Sequence, residues 1–240
     1  MTVPQYQLVD AGVFDAVRKI LIARTGKGLT EDDVRLINAA LALDDPAPAV
    51  FVPTGSYGQL TLKGVLEIME HEAIILEMYK DSVGVETWSA GLTAASGINV
   101  RQYKDNPSTM QVAIDATIAR FKKKYGPEVL AAFNGRPLTE AQFHAALSFH
   151  WNTGAIGRAD WVKHWLAGNV DAAYSSIMNW KSPPEIVKRR MAERDLFFKG
   201  IWIGDGKTTV YQVRKPSYAP NWSSARQVDV STEVRKALGV

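Results

Sequence analysis

The chain has 240 residues, with 28 Lys+Arg against 25 Asp+Glu and a formal net charge of +3. Its composition, 46% apolar and 22% charged, suits one sizeable core or two small ones and excludes a disordered or collagen-like chain. It has no Cys, which excludes disulfides, thiolate nucleophiles and Cys-ligated metal sites. No apolar run approaches the ~20 residues of a membrane-spanning helix, so no stable membrane insertion is expected.

Residues 1–43 read as a small helical unit. One helix is predicted near Ala11–Ala23, with Val13, Phe14, Val17, Ile20 and Leu21 on one face. Asp15, Arg18 and Lys19 interrupt its apolar stretch, so it is not a signal-peptide core and secretory export is not expected. A second helix starts at the N-cap Thr30, with Glu31, Asp32 and Asp33 in its first turn. Such a unit is near the lower limit for independent folding, so it either docks on the rest or binds a partner. Residues 44–58, with Pro46, Pro48, Pro53, Gly55 and Gly58, read as a linker to a main domain over 59–240.

In that domain a long helix is predicted from Thr61 to about Met78. Tyr79–Thr93 then loses the helical period and reads as a small strand-and-turn element. Helices follow near Ser108–Tyr125, Glu140–Trp151, Trp161–Ala167, Val170–Asn179 and Glu185–Phe198, with Thr139 and Gln142 at capping-box spacing. From about residue 201 a C-terminal extension reads as a hairpin of Ile201–Ile203 and Thr208–Val213 around Gly204-Asp205-Gly206, then a short helix from Ser231. Pro184–Val240 holds eleven Lys/Arg and six Asp/Glu. An anionic partner would suit that excess, but no aromatic-interleaved basic motif accompanies it. A solvated face is the reading here, without nucleic acid as a partner.

Several chemistries can be set aside. His71-Glu72 has no second His at helical spacing, so a zinc-protease motif is absent. His144 and His150 lie ~240° apart around a helix and cannot share a metal. They read as surface or core-edge residues. There is no phosphate-binding Gly loop and no Gly-x-Ser-x-Gly elbow. No metal or cofactor is expected. Carboxylates remain. Glu72 sits among Ile68, Met69, Ile74, Ile75 and Leu76, where partial burial would raise its pKa and suit it to general-acid work. Asp81 follows in a turn, and Thr87 comes six residues later. Two carboxyls in different environments are what glycoside hydrolysis needs. Glu70 and Glu77 read as solvated, Glu77 rotated away from Glu72 on the helix.

The string from Glu72 to Gly91 resembles the phage-type lysozymes, glycoside hydrolase family 24: Glu, eight residues, Asp, five residues, Thr, with Tyr79 two before Asp81 and Gly84 between Asp81 and Thr87. Thr61–Ile68 resembles the start of that family's catalytic helix. Leu138–Gly154 resembles its central core helix, and Ile186–Glu193 its final Arg-Arg-x-x-Glu helix. Three positions depart from the family pattern: Ala73 and Ser89 where Gly is usual, and Leu92 where His is frequent.

The resemblance implies an α+β, mainly α, lysozyme-like fold. It implies cleavage of the β-1,4 bond between N-acetylmuramic acid and N-acetylglucosamine in peptidoglycan. Glu72 would be the acid, Asp81 would stabilise positive charge or activate water, and Thr87 would position that water. Asn152 would bind a sugar group or cap its helix; Tyr79 would line the cleft or pack; Trp88 would stack on a sugar or sit in the core. Arg189 and Arg190 would orient Glu72, hold anionic wall polymer, or pair with Glu193 on the surface. An endolysin of this kind would wait in the host cytoplasm, or ride in the virion, with a holin as the expected release partner, and act as a monomer. A non-catalytic wall-binding protein on the same scaffold, or a lytic transglycosylase, are the alternatives.

Overall fold

The computed structural model describes residues 58–240. The N-terminal helical unit and nearly all of the linker lie outside the described residues. The first helix, α1 (Leu62–Glu70), is capped by the Thr61 hydroxyl, which accepts from the Gly64 N–H at 3.0 Å. It ends at Glu70 and does not run on to Met78. Residues Ala73–Lys80 form strand β1 instead. Leu76, Glu77 and Met78 favour helix locally, but β1 is paired along both edges, and tertiary pairing overrides that preference.

One neighbour of β1 is β2 (Glu86–Ser89), antiparallel, with Tyr79 opposite Thr87; β2 in turn pairs with β3 (Leu92–Thr93). Its other neighbour is β4 (Lys207–Arg214), which runs parallel, with Ala73 beside Thr209 and Ile75 beside Tyr211. β5 (Ala219–Asp229) closes the five-stranded sheet in the order β3-β2-β1-β4-β5. The C-terminal hairpin is therefore β4–β5. Ile201–Ile203 lie in the connection leading to it, where the buried Glu67 accepts from the N–H groups of Ile203 (2.9 Å) and Gly204 (2.7 Å). A side chain at Gly204 would meet the Glu67 backbone at 2.8 Å, so the loop needs glycine there.

The helical layer comprises α2 (Met110–Arg120), a π-helical turn (Phe121–Tyr125), α3 (Gly126–Ala132), α4 (Glu140–Thr153), α5 (Asp160–Leu166), α6 (Val170–Ser176) and α7 (Val187–Lys199). The capping box of Thr139 and Gln142 forms as expected. α4 runs through the centre: Phe143, Ala145, Ala146, Leu147 and Phe149 are at most 2% exposed, and α7 and α1 pack on it. Buried His144 on α4 bonds the Glu140 carbonyl through Nδ1 (2.8 Å), and its Nε2 accepts from the Thr61 N–H (3.3 Å). A Cβ on Gly64 would sit 2.0 Å from its ring, so Gly64 is what lets α1 approach α4. The final helix, α8 (Ser231–Leu238), lies on α2 and α1 with Val234 fully buried. No helix among the described residues is long and apolar enough to cross a membrane.

Candidate active site

Glu72 stands at the joint between α1 and β1. Its N–H bonds the Met69 carbonyl at 3.2 Å, and its own carbonyl accepts from the Thr208 hydroxyl at 2.8 Å. The main chain is thus held from both sides, and the carboxyl goes where that joint aims it. The side chain is 14% exposed, and Arg189 Nη1 lies 2.6 Å from its Oε1. Burial pushes the Glu72 carboxyl above its ordinary value; Arg189 and a hydrogen bond from the Trp151 side chain pull the other way. The neighbouring His71 is pushed down to about 4 by burial and by Arg189 and Arg190, so it stays neutral beside Glu72 at pH 7.

Arg189 is itself held. Its Nε bonds Glu193 Oε1 at 2.8 Å, and its Nη2 reaches the Ser148 carbonyl at 3.1 Å and hydroxyl at 3.2 Å. The Ser148 hydroxyl donates to Glu193 Oε1 at 2.6 Å. Arg190 pairs with the other Glu193 oxygen and donates to the Trp180 carbonyl (3.0 Å) and to Asn152 Oδ1 (2.7 Å). Two arginines therefore face two carboxylates in a cluster where Arg190 is fully buried and Glu193 is 1% exposed. The Arg–Glu193 pairing expected on the surface is internal, and Arg189 both pairs with Glu193 and orients Glu72.

Asp81 heads the turn between β1 and β2. Its Oδ1 accepts from the N–H groups of Val83 (3.0 Å) and Val85 (2.8 Å), and Gly84 supplies the positive φ, 85°, that closes the turn. The Thr87 hydroxyl donates to the Val85 carbonyl at 2.9 Å. One residue, Val85, thus ties Asp81 to Thr87. With its proton committed, the Thr87 oxygen is left as an acceptor. Tyr79, across the strand pair from Thr87, is partly buried, and burial together with the negative charges of Asp81 and Glu72 pushes its phenol well above the usual range. Glu72, Tyr79, Asp81 and Thr87 therefore share one neighbourhood.

Other residues fall elsewhere. Trp88 points into the core: it is 1% exposed, stacks on Tyr103 with centroids 3.9 Å apart, and donates its indole N–H to the Leu76 carbonyl. It takes the packing alternative and is not open to a sugar. Asn152 is exposed in the last turn of α4, and the cap of that helix is Gly154 at φ 62°, not Asn152. Arg190 occupies the Asn152 oxygen, and the amide NH2 remains as a donor. Glu77 lies on β1, not on a helix; its carboxylate is taken by Lys215 and by the Asp105 N–H (2.9 Å), so it is not solvated. His150 is 5% exposed and bonds Glu128 at 2.7 Å. Among the described residues no group of His, Asp and Glu is arranged to hold a metal.

Sequence reasoning passed over two contributors. Trp151 was visible only as the neighbour of Asn152. Thr208, 136 residues from Glu72, left no sequence signal. The departure at Ser89 now has a physical account. Its φ is 56°, the left-handed region that favours glycine, and its hydroxyl offsets the strain by donating to the Ala113 carbonyl at 3.1 Å beside Thr117.

Comparison with curated proteins gives no match. Among solved structures the chain is similar to a point mutant of P22 lysozyme, at 21% identity and TM-score 0.48, covering 59% of this chain and 99% of that one. It is similar also to the muramidase domain of SpmX from Asticaccaulis excentricus, at 24% identity and TM-score 0.47, covering 59% and 98%. The family described as phage lysozyme matches residues 69–193, more than half of the sequence and the whole span from Glu72 to Glu193. The chain belongs to the phage lysozyme family and is a glycoside hydrolase of the lysozyme type, acting on peptidoglycan.

Proposed function

We propose that the enzyme cleaves the β-1,4 bond between N-acetylmuramic acid and N-acetylglucosamine, with Glu72 as general acid. The supporting observation is the contrast between the two carboxyls. Glu72 is nearly buried, and burial raises its carboxyl above the ordinary value, the direction that general-acid work requires. Asp81, by contrast, is partly exposed, and its Oδ1 accepts two backbone hydrogen bonds that fix the carboxyl in the turn. Glu72 would protonate the leaving oxygen. Asp81 and the acceptor oxygen of Thr87 would hold the attacking water against the opposite face of the sugar. That arrangement favours inversion at the anomeric carbon. Asn152 would donate to a sugar carbonyl or hydroxyl, and Tyr79 would line the cleft between the carboxyls.

In this reading the enzyme is an endolysin that opens the host wall, released by a holin or delivered with the virion. The test is turbidity loss of outer-membrane-stripped cells with the wild type and Glu72→Gln, plus mass spectrometry of the fragments. Clearing by the wild type alone, with muramic-acid reducing ends, is the expected result. Products ending in a 1,6-anhydro sugar would instead mean a lytic transglycosylase.

A further inference from the structure

The C-terminal hairpin carries a feature that the catalytic residues do not use. Trp222, on the edge strand β5, is 65% exposed. Its indole stands edge-on to the Tyr211 ring of β4, with centroids 5.0 Å apart and planes at 84°. An aromatic left in water forgoes the stabilisation that burial would supply, and Trp and Tyr concentrate where a flat apolar face meets a polar partner. Tyr211 also lines a pocket of about 360 Å³ on the sheet, with Ile75 of β1 and Val213 of β4 as apolar lining and Gln212 of β4 and Arg226 of β5 as polar groups.

These polar groups are uncommitted. Six of the eleven Lys/Arg between Pro184 and Val240 are ion-paired: Arg189, Arg190, Arg194, Lys199, Lys207 and Lys215. Arg226 is exposed and has no carboxylate partner among the described residues, and the Gln212 side-chain amide has no hydrogen-bond partner there. The acid bordering the pocket, Glu77, is already occupied by Lys215.

We infer that this face is a second binding site for the peptidoglycan strand, outside the cleft. The aromatic pair would take the apolar face of a sugar ring, and Arg226 a free carboxylate of the stem peptide. The inference rests on the reading of the substrate given above. The chemistry matches that occupant: planar guanidinium for carboxylate, amide for hydroxyl or acetamido group, aromatic faces for ring C–H bonds. The substrate is a polymer, so a second contact on one strand raises the local concentration of the first. The pocket also lies close to the acid along the chain: Ile75 is three residues past Glu72 on β1, roughly 10 Å at strand rise. β4 and β5, which carry Tyr211, Trp222 and Arg226, lie outside residues 69–193, while Ile75 lies within them.

The test is co-sedimentation with purified insoluble peptidoglycan, run in a Glu72→Gln background so that binding is read without hydrolysis. Trp222→Ala and Arg226→Ala should each weaken retention about tenfold, well within what a second tethered contact contributes. In the active background, Trp222→Ala should slow clearance of whole peptidoglycan while cleaving a short soluble oligosaccharide at the parental rate. Undiminished retention of both variants overturns the site. Failure of the substrate reading would show separately, as absence of muramic-acid fragments from the active enzyme.

Discussion

The hydroxyl of Thr208 donates a 2.8 Å hydrogen bond to the backbone carbonyl of Glu72, joining a C-terminal strand to the proposed acid across 136 residues of sequence. Thr208 is 1% exposed, and the next residue, Thr209, pairs with Ala73 at the start of β1. The C-terminal extension is therefore part of the platform that aims Glu72. Thr208→Val keeps the shape and leaves that carbonyl unpaired, at a cost of about 1–3 kcal/mol. Its kcat should fall by roughly tenfold, the equivalent of about 1.4 kcal/mol, with KM nearly unchanged, and Thr208→Ser should restore it. Steady-state kinetics on a soluble oligosaccharide checks this.

Arg189→Met strips the cation that faces both Glu72 and Glu193. Glu193 keeps Arg190 and the Ser148 hydroxyl, but Glu72 loses its cation, and removing one partner of a buried pair should cost about 3–5 kcal/mol in urea unfolding. Because Arg189 lowers the Glu72 pKa, its loss should move the alkaline limb of the pH–rate profile to higher pH. Arg189→Lys should fall between, since an ammonium cannot reproduce the fork to Glu72, Glu193 and Ser148. An unmoved alkaline limb would remove Glu72 as the group that titrates there.

Glu72 also ties stability to pH. Its folded-state pKa is raised, so the native state binds the proton more tightly than the unfolded chain. Its contribution is fully present below the ordinary value of 4.5 and is lost as pH rises through the folded value. Glu72→Gln has no such loss. The melting temperature of Glu72→Gln relative to the wild type should therefore rise between pH 4 and pH 8. Thermal unfolding of the two proteins over that range reads it directly.

His144 has the opposite sign. Burial pushes it down to about 4 from 6.5, so the folded state keeps the ring neutral while the unfolded chain takes up a proton. Stability should be lost as pH falls from 6.5 towards 4, by about 3 kcal/mol for this group alone. His144→Gln should flatten that part of the curve, at some cost in stability at pH 7. Gly64→Ala should be severely destabilising at every pH, because the added methyl would overlap the His144 ring.

Asp81→Asn separates charge from turn geometry. The amide oxygen can still accept from Val83 and Val85, so the turn and the melting temperature should persist. Activity should fall by two orders of magnitude or more, the lower end of what a catalytic acid or base contributes. Retained activity would assign Asp81 to the turn alone.

Much of the site was legible because it is local. The Asp81–Thr87 turn needs an acceptor at its head and a residue free to take positive φ, and Asp81 and Gly84 provide both within four residues. The cap of α4 is equally local, written in Thr139 and Gln142. The spacing of Glu72, Asp81 and Thr87, with the family resemblance it carries, is a property of the sequence by itself. Where α1 stops was not local. Residues 73–78 are compatible with helix, and only the partners on either side of β1 make them a strand, one of them contributed from beyond residue 206. The burial of Glu72, the Arg189 pair and the Thr208 hydrogen bond likewise exist only once α4, α7 and β4 converge on it. Sequence determines which groups are available and how short turns close. The environment that sets a carboxyl's proton affinity comes from chain segments far apart, so only the tertiary structure decides it.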